Sequence, residues 1–484
     1  MFIDGVEVEA RSGAWLDSVN PYTTEVWARV PKAGADDVDA AVGAASRAYH
    51  EVWRHTTGFE RSEYLRRIAR LVAENADELS RIESTDNGKP IRETSPQARA
   101  SGRTFEYFAG LADKVGGQVI PLENKGVFDY TVRVPFGVVA CLTAWNSPLF
   151  LMATKVATAL AAGNTVVVKP SELASVSTLE FMRIIDAAEL PPGVFNVITG
   201  TGAEAGAALV SHPGVGKVSL TGGDATGRRV SELMAKDLRP GVFELGGKSA
   251  NIVFSDADLE EAANGALAGI FAAGGQTCVA GSRLLLQDAI HDQVLETVAE
   301  RSKDIRMGDP LDPETQLGPL ATEAQLRRMQ DFVASGLDQG ARLVSGGAMV
   351  ESNQGYFFEP TVFADVTNDM RLAREEIFGP VLSVLRFTDE DEALAIANDS
   401  DYGLAAGVWS SDIKRIFRMT AALDVGMVWA NTYRATTFAA PFGGTKASGY
   451  GRERGADSIN EFTTIKNVMI DIGAGVGDPF STRV

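Results

Sequence analysis

The sequence is 484 residues long, and 45% of its residues are apolar and 23% are charged. This composition is typical of a globular protein, and a single hydrophobic core stops growing at about 250–300 residues, so two or three domains are expected. The net charge of −19 and the isoelectric point of about 4.8 argue against nucleic acid and anionic membranes as partners, since both carry negative charge.

The start of the chain and its cysteine count suggest where the protein works. Residues 1–10 lack the basic and apolar regions of a secretion signal, and apolar runs such as 137–145 are too short to span a bilayer. Only Cys141 and Cys278 are present, whereas secreted proteins of this size more often carry several disulfides. We therefore expect a cytoplasmic protein with no membrane partner. The four histidines have no ligand spacing, so no metal site is expected.

The first half of the chain contains two kinds of pattern. Residues 46–111 are charge-rich with helical periodicity, which predicts surface helices. After residue 137, short apolar runs alternate with amphipathic stretches, which predicts a doubly wound parallel α/β sheet, because parallel neighbours need a crossover helix. The predicted strands are 138–145, 165–169, 195–199, 217–221 and 241–245, and the predicted helices are 149–162, 178–190, 204–212 and 226–236.

A second α/β pattern begins near residue 249, where a predicted helix over 258–273 precedes a glycine-rich loop that carries Cys278. Alternating β-branched residues near 130–134 and 462–470 predict strands outside both sheets, and such strands often complete the sheet of a partner. We therefore expect a homo-oligomer, either a dimer or a tetramer. The predicted division is a Rossmann-like cofactor domain (1–118 and 140–248), a catalytic α/β domain (249–441) and a small β oligomerisation arm (119–139 and 458–478).

Six short motifs occur in a fixed order along the chain. Together they resemble the aldehyde dehydrogenase family, and the resemblance covers nearly the whole sequence. It implies an oxidoreductase that converts an aldehyde to a carboxylic acid with NAD(P)+ and water. The motifs are TAWNSP (143–148), VVVKPSE (166–172), ELGGK (244–248), GGQTC (274–278), EEIFGP (375–380) and PFGGTKASGYGRE (441–453).

Cys278 is the candidate nucleophile, because a thiolate is the strongest nucleophile among ordinary side chains. A lone cysteine is more often a buried apolar residue, and that interpretation is kept for Cys141 in its apolar strand. For Cys278, the resemblance favours attack on the aldehyde carbonyl. It implies a thiohemiacetal that loses hydride to the nicotinamide and leaves a thioester on the cysteine.

Glu244 and Asn146 supply the other groups that this chemistry requires. By the resemblance, Glu244 activates the water that hydrolyses the thioester. Asn146 would donate its amide hydrogens to the oxyanion, together with the backbone N–H of Cys278. Without the other motifs, Glu244 would be interpreted as an exposed acid at a strand end and Asn146 as a turn residue. The predicted catalytic set is Cys278, Glu244, Asn146 and Lys169.

The cofactor site is also predicted from the resemblance. A carboxylate at Glu172 would bind free ribose hydroxyls and repel a 2′-phosphate, so NAD is the preferred cofactor and NADP an alternative. The turn 200–206 resembles a dinucleotide motif but alone is only a strand–helix turn. Glu376, with Phe378, matches a nicotinamide-ribose ligand and would otherwise be a salt-bridged acid. The predicted cofactor-binding residues are Thr143, Trp145, Lys169, Ser171, Glu172, Gly202, Gly206, Thr221, Gly222, Gly223, Thr226, Leu245, Glu376 and Phe378.

Several positions depart from the commoner family pattern. Gly223 replaces a serine at the phosphate site, although N–H groups at a helix N-terminus can still bind phosphate. Ala273 replaces an asparagine and removes its hydrogen bond. Small polar residues replace large aromatics, which predicts a wider, more polar substrate tunnel. Arg434 could pair with a substrate carboxylate or hydroxyl, although such an arginine is more often an interface or surface charge. The predicted tunnel residues are Ser147, Leu151, Thr154, Thr277, Val279, Arg434, Thr436 and Phe442.

Three other functions fit parts of the pattern. A CoA-acylating dehydrogenase passes the acyl group to a thiol, and Glu244 argues against it because activated water would consume the thioester. A structural relative would not require Cys278, Glu244, Asn146 and Glu376 together. A thiol esterase commonly pairs cysteine with histidine, and no histidine lies near any motif.

Overall fold

The computed structural model of the protein describes residues 1–350, 354–473, 475–478 and 480. The strands are β1 Phe2–Ile3, β2 Val6–Glu7, β3 Trp15–Val19, β4 Val26–Pro31, β5 Val119–Ile120, β6 Val127–Pro135, β7 Val138–Leu142, β8 Thr165–Lys169, β9 Phe195–Val197, β10 Val215–Thr221, β11 Gly241–Glu244, β12 Ala250–Val253, β13 Arg283–Gln287, β14 Arg342–Ser345, β15 Thr361–Ala364, β16 Val381–Phe387, β17 Tyr402–Gly403, β18 Ala405–Trp409, β19 Met427–Ala430, β20 Thr445–Lys446, β21 Gly449–Tyr450 and β22 Thr463–Asp471. The α-helices are α1 Ala35–Glu51, α2 Gly58–Glu74, α3 Ala76–Asn87, α4 Ile91–Ala109, α5 Pro148–Ala161, α6 Val176–Ile185, α7 Ala207–Ser211, α8 Asp224–Ala235, α9 Leu259–Phe271, α10 His291–Lys303, α11 Glu323–Asp338, α12 Arg371–Arg374, α13 Glu390–Asn398 and α14 Ile413–Ala422.

The first large sheet has the strand order β2-β1-β9-β8-β7-β10-β11-β21. Its five central strands run parallel, and β1, β2 and β21 are antiparallel to their neighbours. Every residue of β7 and β8 is buried, as expected for parallel strands covered by helices on both faces. The doubly wound parallel sheet predicted from the sequence is confirmed.

The second large sheet has the order β14-β15-β16-β13-β12-β18-β19, and β14 is antiparallel to its neighbour. A separate three-stranded antiparallel sheet joins β22, β6 and β5. It contains the segments predicted to lie outside the main sheets, and residue 474 of the predicted arm lies outside the described residues. No helix in the described part of the chain is long and apolar enough to cross a membrane.

Several predicted elements have different bounds in the structure, and three of these differences have a clear local cause. The strand predicted to end at residue 145 ends at Leu142, because the chain leaves the sheet before Pro148 begins α5. The helix predicted over 204–212 starts as a π-helical turn at Gly202–Gly206 and continues as α7. The helix predicted to reach residue 190 ends at Ala188, since Glu189 has a φ of 54° and two prolines follow.

The prediction of surface helices is wrong for α3, which buries two carboxylates in the interior. Glu83 accepts a hydrogen bond from the Leu149 N–H (3.2 Å) in the first turn of α5, and Asp86 accepts one from the Val176 N–H (2.9 Å) at the start of α6. Carboxylates stabilise helix N-termini because the first N–H groups of a helix lack backbone partners. These acids therefore hold the N-termini of two helices that follow strands of the first sheet.

Candidate active site

A cleft of about 490 Å³ lies at the carboxyl ends of the parallel strands β7, β8 and β10, where a doubly wound sheet binds its ligands. All predicted cofactor residues line it except Gly206, which packs against the side-chain methylenes of Lys169. Cys278, Asn146 and Leu151 line the same cleft. The structure therefore brings the candidate nucleophile and the predicted cofactor residues into one continuous space.

Lys169 and Glu172 form one end of the cleft. The Lys169 ammonium donates to the carbonyls of Pro170 (2.7 Å) and Gly200 (2.9 Å) and lies 3.4 Å from a Glu172 carboxylate oxygen. The other Glu172 oxygen accepts from the Gly202 N–H at 3.1 Å. Burial alone would raise the pKa of Glu172, but Lys169 and backbone N–H groups outweigh it and hold this pKa below its ordinary value. An ionised carboxylate thus faces the cleft, and Lys169 is a positioning residue for it.

The middle of the cleft is formed by the turn before α8. The hydroxyls of Thr143 and Thr221 are buried, and within the described chain neither has a hydrogen-bond partner. Gly223 is the N-cap of α8, and a Cβ there would meet nothing within 4 Å, so a serine would also fit. Free hydroxyls and the free N–H groups of a 12-residue helix suit a phosphate-bearing group.

Glu376 forms the other end of the cleft and accepts a hydrogen bond from the Gly247 N–H at 3.0 Å. Burial raises the pKa of Glu376 to about 7. The rings of Trp145 and Phe378 meet edge to face at 5.2 Å, and Phe378 has a φ of 59°, a conformation that is uncommon outside glycine and clusters at functional sites. A carboxylate at each end, with unpartnered hydroxyls between them, fits a dinucleotide with two riboses and a pyrophosphate.

Gln325 and Arg328 also line the cleft but were not predicted. Both lie on α11 and support the loop that carries Glu376. Gln325 donates to the Phe378 carbonyl (2.5 Å), and Arg328 donates to the Glu376 carbonyl (2.7 Å). Their sequence neighbourhood contains no motif, so only the tertiary fold reveals them. Leu142, Ala144, Leu220, Asp224 and Gly246 complete the unpredicted lining.

The loop that carries Cys278 is held by hydrogen bonds from two other segments of the chain. The α9 helix ends where Ala273, Gly274 and Gly275 adopt positive φ values. The Asn146 side-chain amide donates to the Gln276 carbonyl at 2.9 Å, and the Gln276 side chain accepts from the Ala321 N–H at 3.0 Å. One amide hydrogen of Asn146 therefore holds this side chain against the loop. The bond to Gln276 does not use its second amide hydrogen.

Ala273, which departs from the commoner family pattern, contacts α4 through its backbone. Its N–H donates to a carboxylate oxygen of Glu93 at 2.6 Å. The φ of 53° at Ala273 is one that asparagine adopts more easily than alanine. The position thus keeps a polar contact to α4 although it has no polar side chain.

Glu244 ends β11 and is buried, and neither of its carboxylate oxygens has a hydrogen-bond partner within the described residues. Burial and the nearby Glu453 carboxylate raise its pKa well above the ordinary value, against the opposing charges of Lys155 and Arg454. Glu453 is ion-paired with the buried Lys155, whose ammonium also donates to the Ser219 hydroxyl at 3.2 Å. A carboxyl group with a raised pKa is a stronger base once ionised.

The pKa of the Cys278 thiol lies above its ordinary value. Burial is the largest cause, and together with the negative charges of Glu376 and Glu244 it raises the pKa of this thiol to about 12. The positive charge of Arg454 acts in the opposite direction and lowers this pKa. Cys141 is fully buried in β7, and burial raises the pKa of its thiol to about 12 as well. Arg454 and Glu453 thus belong to the surroundings of the candidate nucleophile and base.

We predict that alkylation of Cys278 by iodoacetamide in the free protein rises roughly tenfold per pH unit between pH 7 and pH 10, because only the thiolate reacts. The rate is slow at neutral pH and increases as pH approaches the raised pKa from below. Mass spectrometry of the Cys278 peptide measures this rate, and the buried Cys141 peptide is the internal control. A plateau near pH 8 would contradict the raised pKa.

The predicted tunnel residues do not all lie around one space. Leu151 lines the cleft, and Thr277 and Val279 flank Cys278. The Ser147 hydroxyl accepts a hydrogen bond from the buried Lys89 ammonium at 2.8 Å, and Thr154 is buried with its hydroxyl donated to the Phe150 carbonyl. Thr436 is exposed in the loop before Phe442.

Arg434 already has protein partners. Its guanidinium lies 3.7 Å from a Glu93 carboxylate oxygen and donates to the Ala268 carbonyl at 3.2 Å. It lines a separate cavity of about 460 Å³ between α4 and α9. The structure therefore does not place Arg434 in the cleft that holds Cys278.

Comparison with known proteins agrees with this geometry. The model of the aldehyde dehydrogenase family matches residues 8–468. A (Z)-2-((N-methylformamido)methylene)-5-hydroxybutyrolactone dehydrogenase from Acinetobacter baylyi is 46% identical over 473 residues, which cover 97% of each chain. A betaine aldehyde dehydrogenase from Cereibacter sphaeroides is 45% identical over 473 residues, which cover 98% of this chain and 97% of the relative.

Solved structures extend the likeness to the fold. A betaine aldehyde dehydrogenase from Staphylococcus aureus, solved in complex with NAD+, has a TM-score of 0.97 at 36% identity, with 99% of both chains covered. An NAD+ complex of an aldehyde dehydrogenase from Bacillus cereus has a TM-score of 0.96 at 40% identity, with 98% of this chain and 96% of that chain covered. The protein belongs to the aldehyde dehydrogenase family and oxidises an aldehyde to a carboxylic acid with NAD(P)+, through a thioester on a cysteine.

Proposed function

We propose that Cys278 is the cysteine that attacks the aldehyde carbonyl. The observation that carries this assignment is that Cys278 lines the same cleft as the residues that fit a dinucleotide. The thiol first loses its proton to the solvent. Attack by the thiolate then forms a carbon–sulfur bond and breaks the carbonyl π bond, which places a negative charge on the former carbonyl oxygen. The free amide hydrogen of Asn146 and the Cys278 backbone N–H stabilise that oxyanion. Its collapse expels hydride and leaves a thioester on Cys278.

Glu244 is the general base for the second half of the reaction. It takes a proton from water, the resulting hydroxide attacks the thioester carbonyl, and the carbon–sulfur bond breaks to release the carboxylate product. The Glu244 carboxylate has no hydrogen-bond partner in the described part of the chain, which supports this role because the carboxylate is free to accept a water proton. When bound, NAD(P)+ supplies the acceptor for the hydride.

A preference for NAD over NADP follows from Glu172. An ionised carboxylate at the Lys169 end of the cleft accepts hydrogen bonds from free ribose hydroxyls and repels a 2′-phosphate. The contact between Glu172 and the Gly202 N–H (3.1 Å) holds the carboxylate toward the cleft. The residues at the other end, Glu376 and Phe378, would contact the nicotinamide ribose.

Replacing Glu172 by alanine is expected to raise the ratio of kcat/KM for NADP to that for NAD roughly 10- to 100-fold, because repulsion of the 2′-phosphate is lost. Steady-state kinetics with both cofactors measure the ratio. Glu204→Ala is the matched control, since Glu204 is an exposed acid ion-paired with Lys32 (2.7 Å) near the same turn. An unchanged ratio in Glu172→Ala would remove Glu172 from the ribose site.

A panel of aliphatic, aromatic and hydroxylated aldehydes tests the proposed function directly. Incubation with NAD+ is expected to produce NADH, read by its absorbance, and a matching carboxylic acid in equal amount. An acyl-CoA product in the presence of CoA, or ester hydrolysis without NADH, would contradict the hydrolytic dehydrogenase assignment.

We also propose that the protein is a cytoplasmic homo-oligomer in which the sheet β22-β6-β5 mediates association. The β22 side chains of Ile465 and Met469 are exposed, at 60% and 62%, and apolar groups of this size favour an interface. We propose the domain division that the sequence predicts. It consists of a cofactor domain (1–118 and 140–248), a catalytic domain (249–441) and the oligomerisation arm (119–139 and 458–478). Light scattering of the protein and of Ile465→Glu tests the proposed association: a monomer in the wild type would refute it.

A further inference from the structure

We propose that Arg454 is a specificity-determining residue that binds a carboxylate group of the substrate, so that the preferred substrates are aldehydes carrying an acidic substituent. This inference rests on the proposed function, because it assumes that the aldehyde reaches Cys278. It assigns to Arg454 the role that the sequence suggested for Arg434, whose guanidinium is paired with Glu93.

Arg454 lies between two aromatic rings. Its guanidinium carbon is 4.2 Å from the centre of the Phe442 ring and 4.6 Å from that of Phe150. Phe150 is in the first turn of α5, which also carries Leu151 of the cleft. Stacking of this kind fixes the plane of a guanidinium and leaves its edge free for hydrogen bonds.

The backbone positions this side chain firmly. Phe442 and Glu453 form an antiparallel bridge with N–H to carbonyl distances of 2.7 Å and 2.8 Å. The chain then turns at Arg454 and Gly455, which have φ values of 57° and 66°. A positive φ at a long side chain is uncommon and persists where the surrounding structure imposes it. Arg454 therefore directly follows the bridge that fixes the predicted tunnel residue Phe442.

Among the described residues, the Arg454 guanidinium has no acceptor. The residue is only 7% exposed. In the described structure its side chain makes no hydrogen bond or ion pair, and its Nε is buried without a partner. The carboxylate of the neighbouring Glu453 is ion-paired with Lys155 and not with Arg454. A buried cation without a partner is costly, and such a group is retained where a ligand supplies the missing charge.

The guanidinium also lies close to the reaction centre. Phe442, whose ring lies under the guanidinium, belongs to the hydrophobic cluster against which Cys278 packs. A Cβ on the next residue, Gly443, would lie 2.7 Å from a Glu244 carboxylate oxygen. In keeping with this geometry, the Arg454 charge opposes the raised pKa of Cys278 and of Glu244. A substrate whose aldehyde carbon is at the Cys278 sulfur can therefore extend an acidic substituent to Arg454. A carboxylate matches the planar fork of the guanidinium through two parallel hydrogen bonds. A neutral aldehyde leaves the cation unpaired, and an aldehyde with a quaternary ammonium group meets direct repulsion.

The test compares 4-oxobutanoate with butanal, which has the same number of carbon atoms and no acid group. With NAD+, the wild type is expected to have the higher kcat/KM for 4-oxobutanoate. Arg454→Met, which keeps an unbranched side chain, is expected to lower kcat/KM for 4-oxobutanoate roughly 10- to 100-fold, mainly through KM, since a hydrogen bond to a charged group is lost. Arg454→Lys, which keeps the positive charge, should restore part of the loss. In Arg454→Met the loss of kcat/KM for butanal should be several-fold smaller than the loss for 4-oxobutanoate, because butanal reports only the change of charge near Cys278 and Glu244.

The matched control is Arg103→Met, because Arg103 is an exposed guanidinium 5.2 Å over the Phe438 ring. In Arg103→Met, the ratio of kcat/KM for 4-oxobutanoate to kcat/KM for butanal should equal the wild-type ratio. Equal losses for both substrates in Arg454→Met, or no wild-type preference for the acid, would overturn the inference while the proposed function stands. A wild type that oxidises no aldehyde would contradict the proposed function instead.

A binding measurement tests Arg454 independently of turnover. Butanedioate should slow alkylation of Cys278 by iodoacetamide in the wild type and in Arg103→Met, but not in Arg454→Met, and butanediamide should protect none of them. Protection by butanedioate that survives Arg454→Met would refute the carboxylate contact.

Discussion

Cys278→Ala is expected to abolish NADH formation, with a loss of at least about 10⁴-fold in kcat, because the nucleophile forms the covalent bond on which both half-reactions depend. NAD+ binding should persist, since the dinucleotide contacts that we propose come from Glu172, Glu376 and backbone groups and not from Cys278. The cofactor titration can be followed by quenching of tryptophan fluorescence, because Trp145 lines the cleft. Stopped-flow absorbance then measures the rate of NADH formation.

The matched control for this variant is Cys141→Ala. Cys141 is fully buried in β7, and its removal leaves only a small cavity, so activity should remain while the melting temperature falls slightly. NADH formation by Cys278→Ala at a rate near that of the wild type would contradict the assignment of the nucleophile.

Glu244→Gln is expected to separate the two half-reactions. Glutamine has the shape of glutamate but cannot accept a proton from water, so thioester hydrolysis should slow about 10²- to 10⁴-fold. Acylation and hydride release precede that step. The variant should therefore give a burst of NADH equal to the enzyme concentration, followed by a slow steady rate.

Mass spectrometry of the quenched reaction should detect the acyl group on the Cys278 peptide of Glu244→Gln. Glu375→Gln is the control, because Glu375 is exposed and paired with Arg371 at 3.1 Å, and it should turn over without a burst. Steady turnover of Glu244→Gln at the wild-type rate would assign the base to another group.

Much of the cleft could be predicted from the sequence because its residues follow buried strands. Thr143, Lys169 and Thr221 come at or just after the ends of β7, β8 and β10, and parallel strands bring their carboxyl ends to one edge of the sheet. The resemblance to the aldehyde dehydrogenase family then predicts which of these residues bind the cofactor and which take part in the reaction. The fold class followed from the same alternation of strands and helices.

The remaining contacts depend on packing between distant segments. Gln325 and Arg328 reach the cleft from α11, and no local pattern distinguishes them from other polar residues on an amphipathic helix. Arg434 was assigned by its nearness to tunnel residues in sequence, but the fold turns its side chain toward Glu93. Arg454 follows the last family motif directly, and only the bridge between Phe442 and Glu453 reveals its position.

Lys155 could have been found from the sequence. It is the single charged residue of α5, whose other residues are apolar or small, and a lone charge in a buried helix predicts a buried partner. That partner, Glu453, could not be identified without the fold because it lies 298 positions away.

The strand β21 has a consequence for how the enzyme becomes active during synthesis. It pairs with β11 directly at Glu244, and the Ser448 hydroxyl donates to the Gly246 carbonyl across 202 positions of sequence. Contacts between such distant segments form late, because a long loop must close first. A growing chain that already contains Cys278 and Glu244 therefore still lacks the wall formed by residues 441–455. The thiol and its base are assembled into a working site only after that segment has been made and has folded back.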